Sequence, residues 1–200
     1  MEVSETAKKA LKIIFSDFLA SYNSNNIKAK LGISQVGSLK LLKGLKEKNL
    51  LVSKKMGKAT FYKPNLLNEY LLKLLELTYS DYSNLSTFVK GWIYDLQPFT
   101  KDVKAVFLFG SILSKEKNAR DVDVCFILND AKDYALINQK IVELNEKNHL
   151  KIHPLYLPEE DFRKKLSEKD SPLIDMVRNC VVVHGQGFFV EVLKDVQSKE

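Results

Sequence analysis

The sequence predicts an α+β protein in two parts: helices ending in a β-hairpin, then an α/β module with a small mixed sheet. Three observations carry this. Apolar residues recur at helical spacing through the first third of the chain. A continuous β-prone apolar run, KAVFLFG, and a following strand, DVDVCFIL, lie in the second half. Charge divides the same way: residues 1–68 hold 13 lysines, no arginine and 4 acids, for +9, whereas residues 69–200 hold 18 basic and 21 acidic residues, for −3. At 200 residues and 45% hydrophobic content, the chain can build one core or two small ones.

The front elements follow in order. ETAKKALKIIFSDFLASY places Ala7, Ala10, Leu11, Ile14, Phe15, Phe18 and Leu19 on a helical stripe. NSNN breaks it, Asn26 opens a short helix, and Gly32 closes that helix. Ser34 is a suitable N-cap for the next helix, QVGSLKLLKGLKEKNL. There Val36, Leu39, Leu42 and Leu45 are expected to face the core, leaving Gln35, Ser38, Lys40 and Lys43 off that face. LLVS and ATFYK then flank the turn KKMGK, which predicts a hairpin with a basic tip.

Three helices followed by a hairpin resemble a winged helix-turn-helix, the fold of many prokaryotic transcription regulators. The resemblance covers residues 5–64. It implies that residues 34–48 are a recognition helix for the major groove of double-stranded DNA, with Gln35, Ser38, Lys40 and Lys43 as contacts. It also implies that Lys54, Lys55 and Lys58 meet phosphate or the minor groove. The excess of lysine independently suits a polyanionic partner. The same fold also serves dimerisation or protein contact.

Next, LLNEYLLKLLELTYSDY carries Leu67, Leu71, Leu74, Leu75 and Leu77 at helical spacing. Such a helix after the wing either forms a homodimer or packs across the two modules, and the residues fit both. A further helix, LSTFVKGWIYDLQ, ends at Pro98. The expected boundaries are thus a first module over 1–65, a linking helix over 66–84 and a second module over 85–200.

In the second module, KAVFLFG reads as a strand buried on both faces, Gly110 and Ser111 as a turn, and ILSKEKNAR as a loop. Asp121 and Asp123 lie on the strand DVDVCFIL, and strand alternation directs both to one face. Adjacent carboxylates repel, so a cation between them and a second anion is the natural resolution. Mg²⁺ prefers oxygen ligands and completes its shell with phosphates. A Gly-Ser turn brings backbone N–H groups and a hydroxyl toward such phosphates.

Gly-Ser, a spacer, and Asp-x-Asp on the following strand resemble the polymerase-β-like nucleotidyltransferase superfamily, in particular its minimal and kanamycin-type members. The resemblance covers about residues 85–185, and the spacer of nine residues between Ser111 and Asp121 is slightly shorter than is usual there. It implies that Asp121 and Asp123 hold the Mg²⁺ that binds a nucleoside triphosphate, and that Gly110 and Ser111 grip its phosphates. An acceptor hydroxyl on a protein or small-molecule substrate would then attack the α-phosphate.

One position departs from the family pattern. Its third carboxylate belongs on the strand after the helix AKDYALINQKIVELNEKN, and in HLKIHPLYLP that position is His153. An imidazole serves as a neutral ligand or as a base but suits Mg²⁺ poorly. Pro154 marks an edge or irregular strand. Glu159, Glu160 and Asp161 read as the first turn of a helix. Ser171 reads as the cap of the next helix, VVVHG as a strand and FFVEVLKDV as a last helix. Two functions follow: a nucleotidyltransferase coupled to a DNA-binding module, or a transcription regulator whose nucleotidyltransferase-like domain senses nucleotide without turnover.

No apolar run is long enough to cross a membrane, and the start MEVSETAKKALKIIF lacks a signal-peptide pattern, so a cytoplasmic location is expected. Cys125 and Cys180, each within an apolar run, read as buried free thiols.

Overall fold

The computed structural model describes residues 3–115, 118–130 and 132–199. It divides into two compact units, one of residues 1–78 with 193–200, the other of residues 79–192. The helix at 69–79, expected as a linker, therefore groups almost entirely with the first unit, and so do the last residues of the chain.

The first unit contains α1 (Glu5–Ser16), α2 (Ser24–Leu31) and α3 (Gln35–Glu47), then β1 (Leu51–Met56), β2 (Ala59–Pro64) and α4 (Glu69–Tyr79). Side chains cap the first three helices: Ser4 accepts from the Ala7 N–H, Asn23 from those of Asn25 and Asn26, and Ser34 from that of Gly37. The cap of α2 is thus Asn23, three residues before the expected start. Gly32 closes α2 in the left-handed conformation, at φ 65°. Asp17 ends α1, so Phe18 and Leu19 lie beyond it; Phe18 is still buried.

The face of α3 differs from expectation. Ser38, Leu42 and Leu45 are buried, while Val36 and Leu39 are exposed. A strict three-residue step falls about 60° short of a full helical turn each time, so a run of four such residues spreads over half the circumference. The stripe at intervals of three and four wins, and it includes Ser38. The Ser38 hydroxyl satisfies itself by donating to the Gln35 carbonyl at 2.9 Å.

β1 and β2 pair antiparallel from Leu51↔Pro64 to Met56↔Ala59, leaving a two-residue turn at Gly57–Lys58. The hairpin is therefore longer and its turn tighter than the sequence suggested. Gly57 has φ 59°, as such turns require. Tyr22 adds a bridge to Tyr62 on the free side of β2, and the Tyr62 N–H donates to the Tyr22 carbonyl at 2.7 Å. Leu71, Leu74 and Leu75 bury one face of α4, whereas Leu67 and Leu77 are exposed.

The second unit is a sheet between two helical layers. Its elements are α5 (Thr87–Asp95), a 3-10 turn (Gln97–Phe99), β3 (Val103–Phe109), α6 (Ser111–Ser114), β4 (Asp121–Leu128), α7 (Asp133–Lys147), β5 (Lys151–Pro158), α8 (Glu159–Ser167), α9 (Ser171–Asn179), β6 (Val181–His184) and α10 (Gln186–Ser198), whose end passes into the first unit. The strand order is β5-β4-β3-β6; β4 and β5 are parallel, and the other pairs are antiparallel. This is the small mixed sheet expected. Pro154 lies on an edge strand, where its missing N–H costs no ladder bond to an outer neighbour.

β3 and β4 are buried on both faces because each face has its own helices. Val106, Leu108, Val122, Val124 and Phe126 join Trp92, Ile93, Leu96, Phe99, Ile137 and Ile141 in one core. On the opposite face Phe107 meets Phe162 and Phe189, with ring centroids 5.5 and 5.3 Å apart. Cys125 and Cys180 are buried free thiols, and burial pushes the Cys125 thiol far above its usual range. The cap of α9 is Asp170, not Ser171: the Asp170 carboxylate accepts from the Leu173 N–H, with Pro172 in the first turn. No helix among the described residues is long and apolar enough to cross a membrane.

Candidate metal centre

β4 positions the two acids. Val122 and Val124 point into the core, which obliges Asp121 and Asp123 onto the opposite face, each half-buried. The parallel ladder with β5 then sets Asp121 against Lys151 and Asp123 against His153. His153 Nδ1 lies 3.2 Å from Asp123 Oδ1. Asp121, Asp123 and His153 offer three ligand atoms that all lie within 4.8 Å of one another, a set that could hold a metal ion.

Lys151 does not neutralise Asp121. Its ammonium turns away and donates to the carbonyls of Asn145 and Asn148. These bonds cap the end of α7.

Gly110 bounds the cluster on the β3 side. Phe109 pairs with Asp123, so the backbone leaving β3 passes over that carboxylate. At φ 80° and ψ −155°, Gly110 occupies a region that side-chain-bearing residues avoid. A Cβ here would stand 2.0 Å from Asp123 Oδ2. Ser111 follows at once as the first residue of α6, and the fully buried Ile112 anchors that turn to the core. The spacer therefore begins as a helical turn rather than a loop; its residues 116 and 117 lie outside the described residues.

A cleft of about 540 Å³ opens beside Gly110, lined by Phe109, Leu113, Ser114, Pro172, Asp175, Met176 and Asn179. Its volume falls within the range of small-molecule sites. The α9 residues in this lining carried no recognisable sequence signal, because the helix reads only as an amphipathic element.

The acid at the start of α8 stands apart from this cluster. Glu159 begins α8 beyond the far end of β5, and five strand steps from His153 to Pro158 span about 17 Å. Glu159 is also engaged: Lys104 and Arg163 both bond it, the latter at 2.8 Å from its Nε. The Lys104 hydrogen bond, opposed by some burial and reinforced by Arg163, holds its carboxyl below the usual range.

In the first unit, Lys40 and Lys43 are exposed on α3, and Lys54, Lys55 and Lys58 are exposed along the hairpin and its turn. Gln35 is half-buried and donates from Nε2 to Ser24 Oγ at 2.9 Å. Ser38 is fully buried and leaves the set of surface groups, because it lies on the buried stripe of α3. Exposed Val36 and Leu39 take its place beside the lysines.

Protein-family models, curated proteins and solved structures yield no significant match to this chain.

Proposed function

We propose that the protein is a DNA-binding regulator whose second unit binds a nucleoside triphosphate through a divalent cation without transferring the nucleotidyl group. The observation that carries this reading is His153, paired directly with Asp123, because the resemblance to nucleotidyltransferases implies a carboxylate at that position. Two carboxylates and an imidazole acting as ligands carry −2 between them, which balances one divalent ion. Two-metal phosphoryl chemistry asks the protein to hold two ions and to ready the attacking hydroxyl. An imidazole can do the second of these and can ligate one ion, but unlike a carboxylate it cannot bridge two.

The cleft beside Gly110 and the Gly110–Ser111 turn that opens α6 support nucleotide binding, because such a turn can present backbone N–H groups to phosphates. For the first unit, exposed Lys40, Lys43, Lys54, Lys55 and Lys58 with a local charge of +9 support duplex DNA as the partner.

A second reading is favoured by the intact Asp121–Asp123 pair. There the protein transfers a nucleotidyl group to a protein or small-molecule hydroxyl, with Mg²⁺ on the aspartates and His153 as base. One experiment separates the two: the chain is incubated with each divalent cation and labelled nucleoside triphosphates, and binding and pyrophosphate release are scored separately. Binding without release is expected. Robust release that Asp123→Asn abolishes would overturn the sensor and establish the transferase. Absence of any cation-dependent binding would defeat both.

A further inference from the structure

We infer that Asp121, Asp123 and His153 form a single-ion site for a first-row transition cation of the Mn²⁺, Co²⁺ or Zn²⁺ class, and that Mg²⁺ is a poor occupant. This rests on the proposed function in that it names the cation such nucleotide binding would use. Its own support is the donor set.

Mg²⁺ demands oxygen ligands in a near-octahedral shell and gains little from an imidazole. Transition ions accept imidazole nitrogen and carboxylate oxygen together, with affinity rising from Mn²⁺ through Co²⁺. Here nitrogen and oxygen donors converge from one face of one sheet, within 4.8 Å of one another. Without nucleotide, the charge of −2 on two ligating carboxylates matches one divalent ion.

The imidazole is placed by the ladder rather than by packing. The His153 side chain is 75% exposed, so no surrounding core fixes it. Its position follows from an unbroken parallel register running from Asp121↔Lys151 to Leu128↔Pro158. Its Nδ1 is turned to Asp123 Oδ1 at 3.2 Å rather than to open solvent. Gly110 fixes the other side of the same carboxylate, since nothing larger than hydrogen fits between them. Asp123 is thus held from two directions, with one of its neighbours a nitrogen donor. A ligand oriented by its neighbours binds metal more tightly than a free side chain.

The test uses the full chain without nucleotide. Co²⁺ is titrated and followed by its visible ligand-field absorption, and Mn²⁺ and Mg²⁺ are titrated by calorimetry. One Co²⁺ per chain is expected, with Mg²⁺ much weaker. His153→Gln should weaken Co²⁺ at least about tenfold, since even outer-shell changes cost that much. His153→Asp should lower the ratio of Co²⁺ to Mg²⁺ affinity by a similar factor. Exposure of the ring makes both variants safe for folding. Asp123→Asn should remove the signal.

Equal Mg²⁺ and Co²⁺ affinity, a Co²⁺ signal that survives Asp123→Asn, or a ratio unmoved by His153→Asp would each overturn the inference. The two proposals fail separately. One-to-one Co²⁺ binding without any nucleotide binding would sink the proposed function and leave this site standing. Nucleotide binding with Mg²⁺ that is indifferent to His153→Gln would do the reverse.

Discussion

Asp123 Oδ1 and His153 Nδ1 stand 3.2 Å apart, joined across the parallel strands β4 and β5 by direct register. A carboxylate is thereby paired with an imidazole at the edge of the sheet. The chemistry available to the second unit follows from this pair and from Asp121 two residues before it.

Asp121 and Asp123 share one face, and Lys151 turns away from them. Asp121→Asn should therefore relieve repulsion. At low ionic strength we expect the metal-free protein to gain on the order of 1 kcal/mol, the Coulomb energy of a close pair in water. In 1 M salt, with a Debye length of about 3 Å, the gain should vanish. Urea denaturation at two salt concentrations measures this. A variant less stable than wild type at low salt would show that Asp121 has a compensating partner.

Gly110→Ala should harm both fold and site. The backbone at φ 80° would be strained, and the new Cβ would strike Asp123 Oδ2. A residue forced into such a region costs about 1–3 kcal/mol. We expect that loss in chemical denaturation, together with weaker cation binding as Asp123 is displaced. Cation affinity at the wild-type level would mean that the carboxylate has no fixed position to lose.

Neutralising Lys54, Lys55 and Lys58 together to Gln tests the proposed DNA partner. All three are exposed on or beside the β1–β2 turn. Each phosphate left without its lysine should reduce the slope of log affinity against log salt by about 0.9. Affinity should fall by a similar factor for all duplex sequences. Fluorescence anisotropy over a salt series reads it, and a slope that stays the same would remove the hairpin from the interface.

Glu159 predicts a pH dependence for the second unit. Hydrogen bonding to Lys104, against some burial and with help from Arg163, depresses its folded pKa. The ionised form is thus favoured by folding, so its contribution is present above the ordinary value of 4.5 and is lost as pH falls through the lower folded value. Glu159→Gln should cost about 1 kcal/mol or less at pH 6, the range of partly exposed ion pairs. The gap between variant and wild type should close on acidification. Parallel denaturation series from pH 6 to pH 3 check the sign, and a gap that widens in acid would refute it.

Much of the molecule is legible from local pattern. Ser34 before an apolar run fixes the start of α3, because its hydroxyl can accept from the Gly37 N–H without any tertiary help. Strand parity alone sends Asp121 and Asp123 to one side, since Val122 and Val124 need a core. KAVFLFG announces a strand covered on both faces because no alternation leaves a side for water.

What local pattern cannot supply is registration between elements distant in the chain. The sequence names His153 as the candidate third group, but whether it reaches Asp123 depends on how far β5 slides along β4, and the ladder places the two opposite each other. Ser38 rather than Leu39 turns inward because the buried stripe of α3 is set by what packs on it, and a small hydroxyl that bonds its own turn costs little there. The need for glycine at 110 arises only when β3 and β4 pair and the backbone crosses a carboxylate. The residues themselves determine which groups can do chemistry; only strand pairing, through distances no local propensity encodes, decides which of them meet.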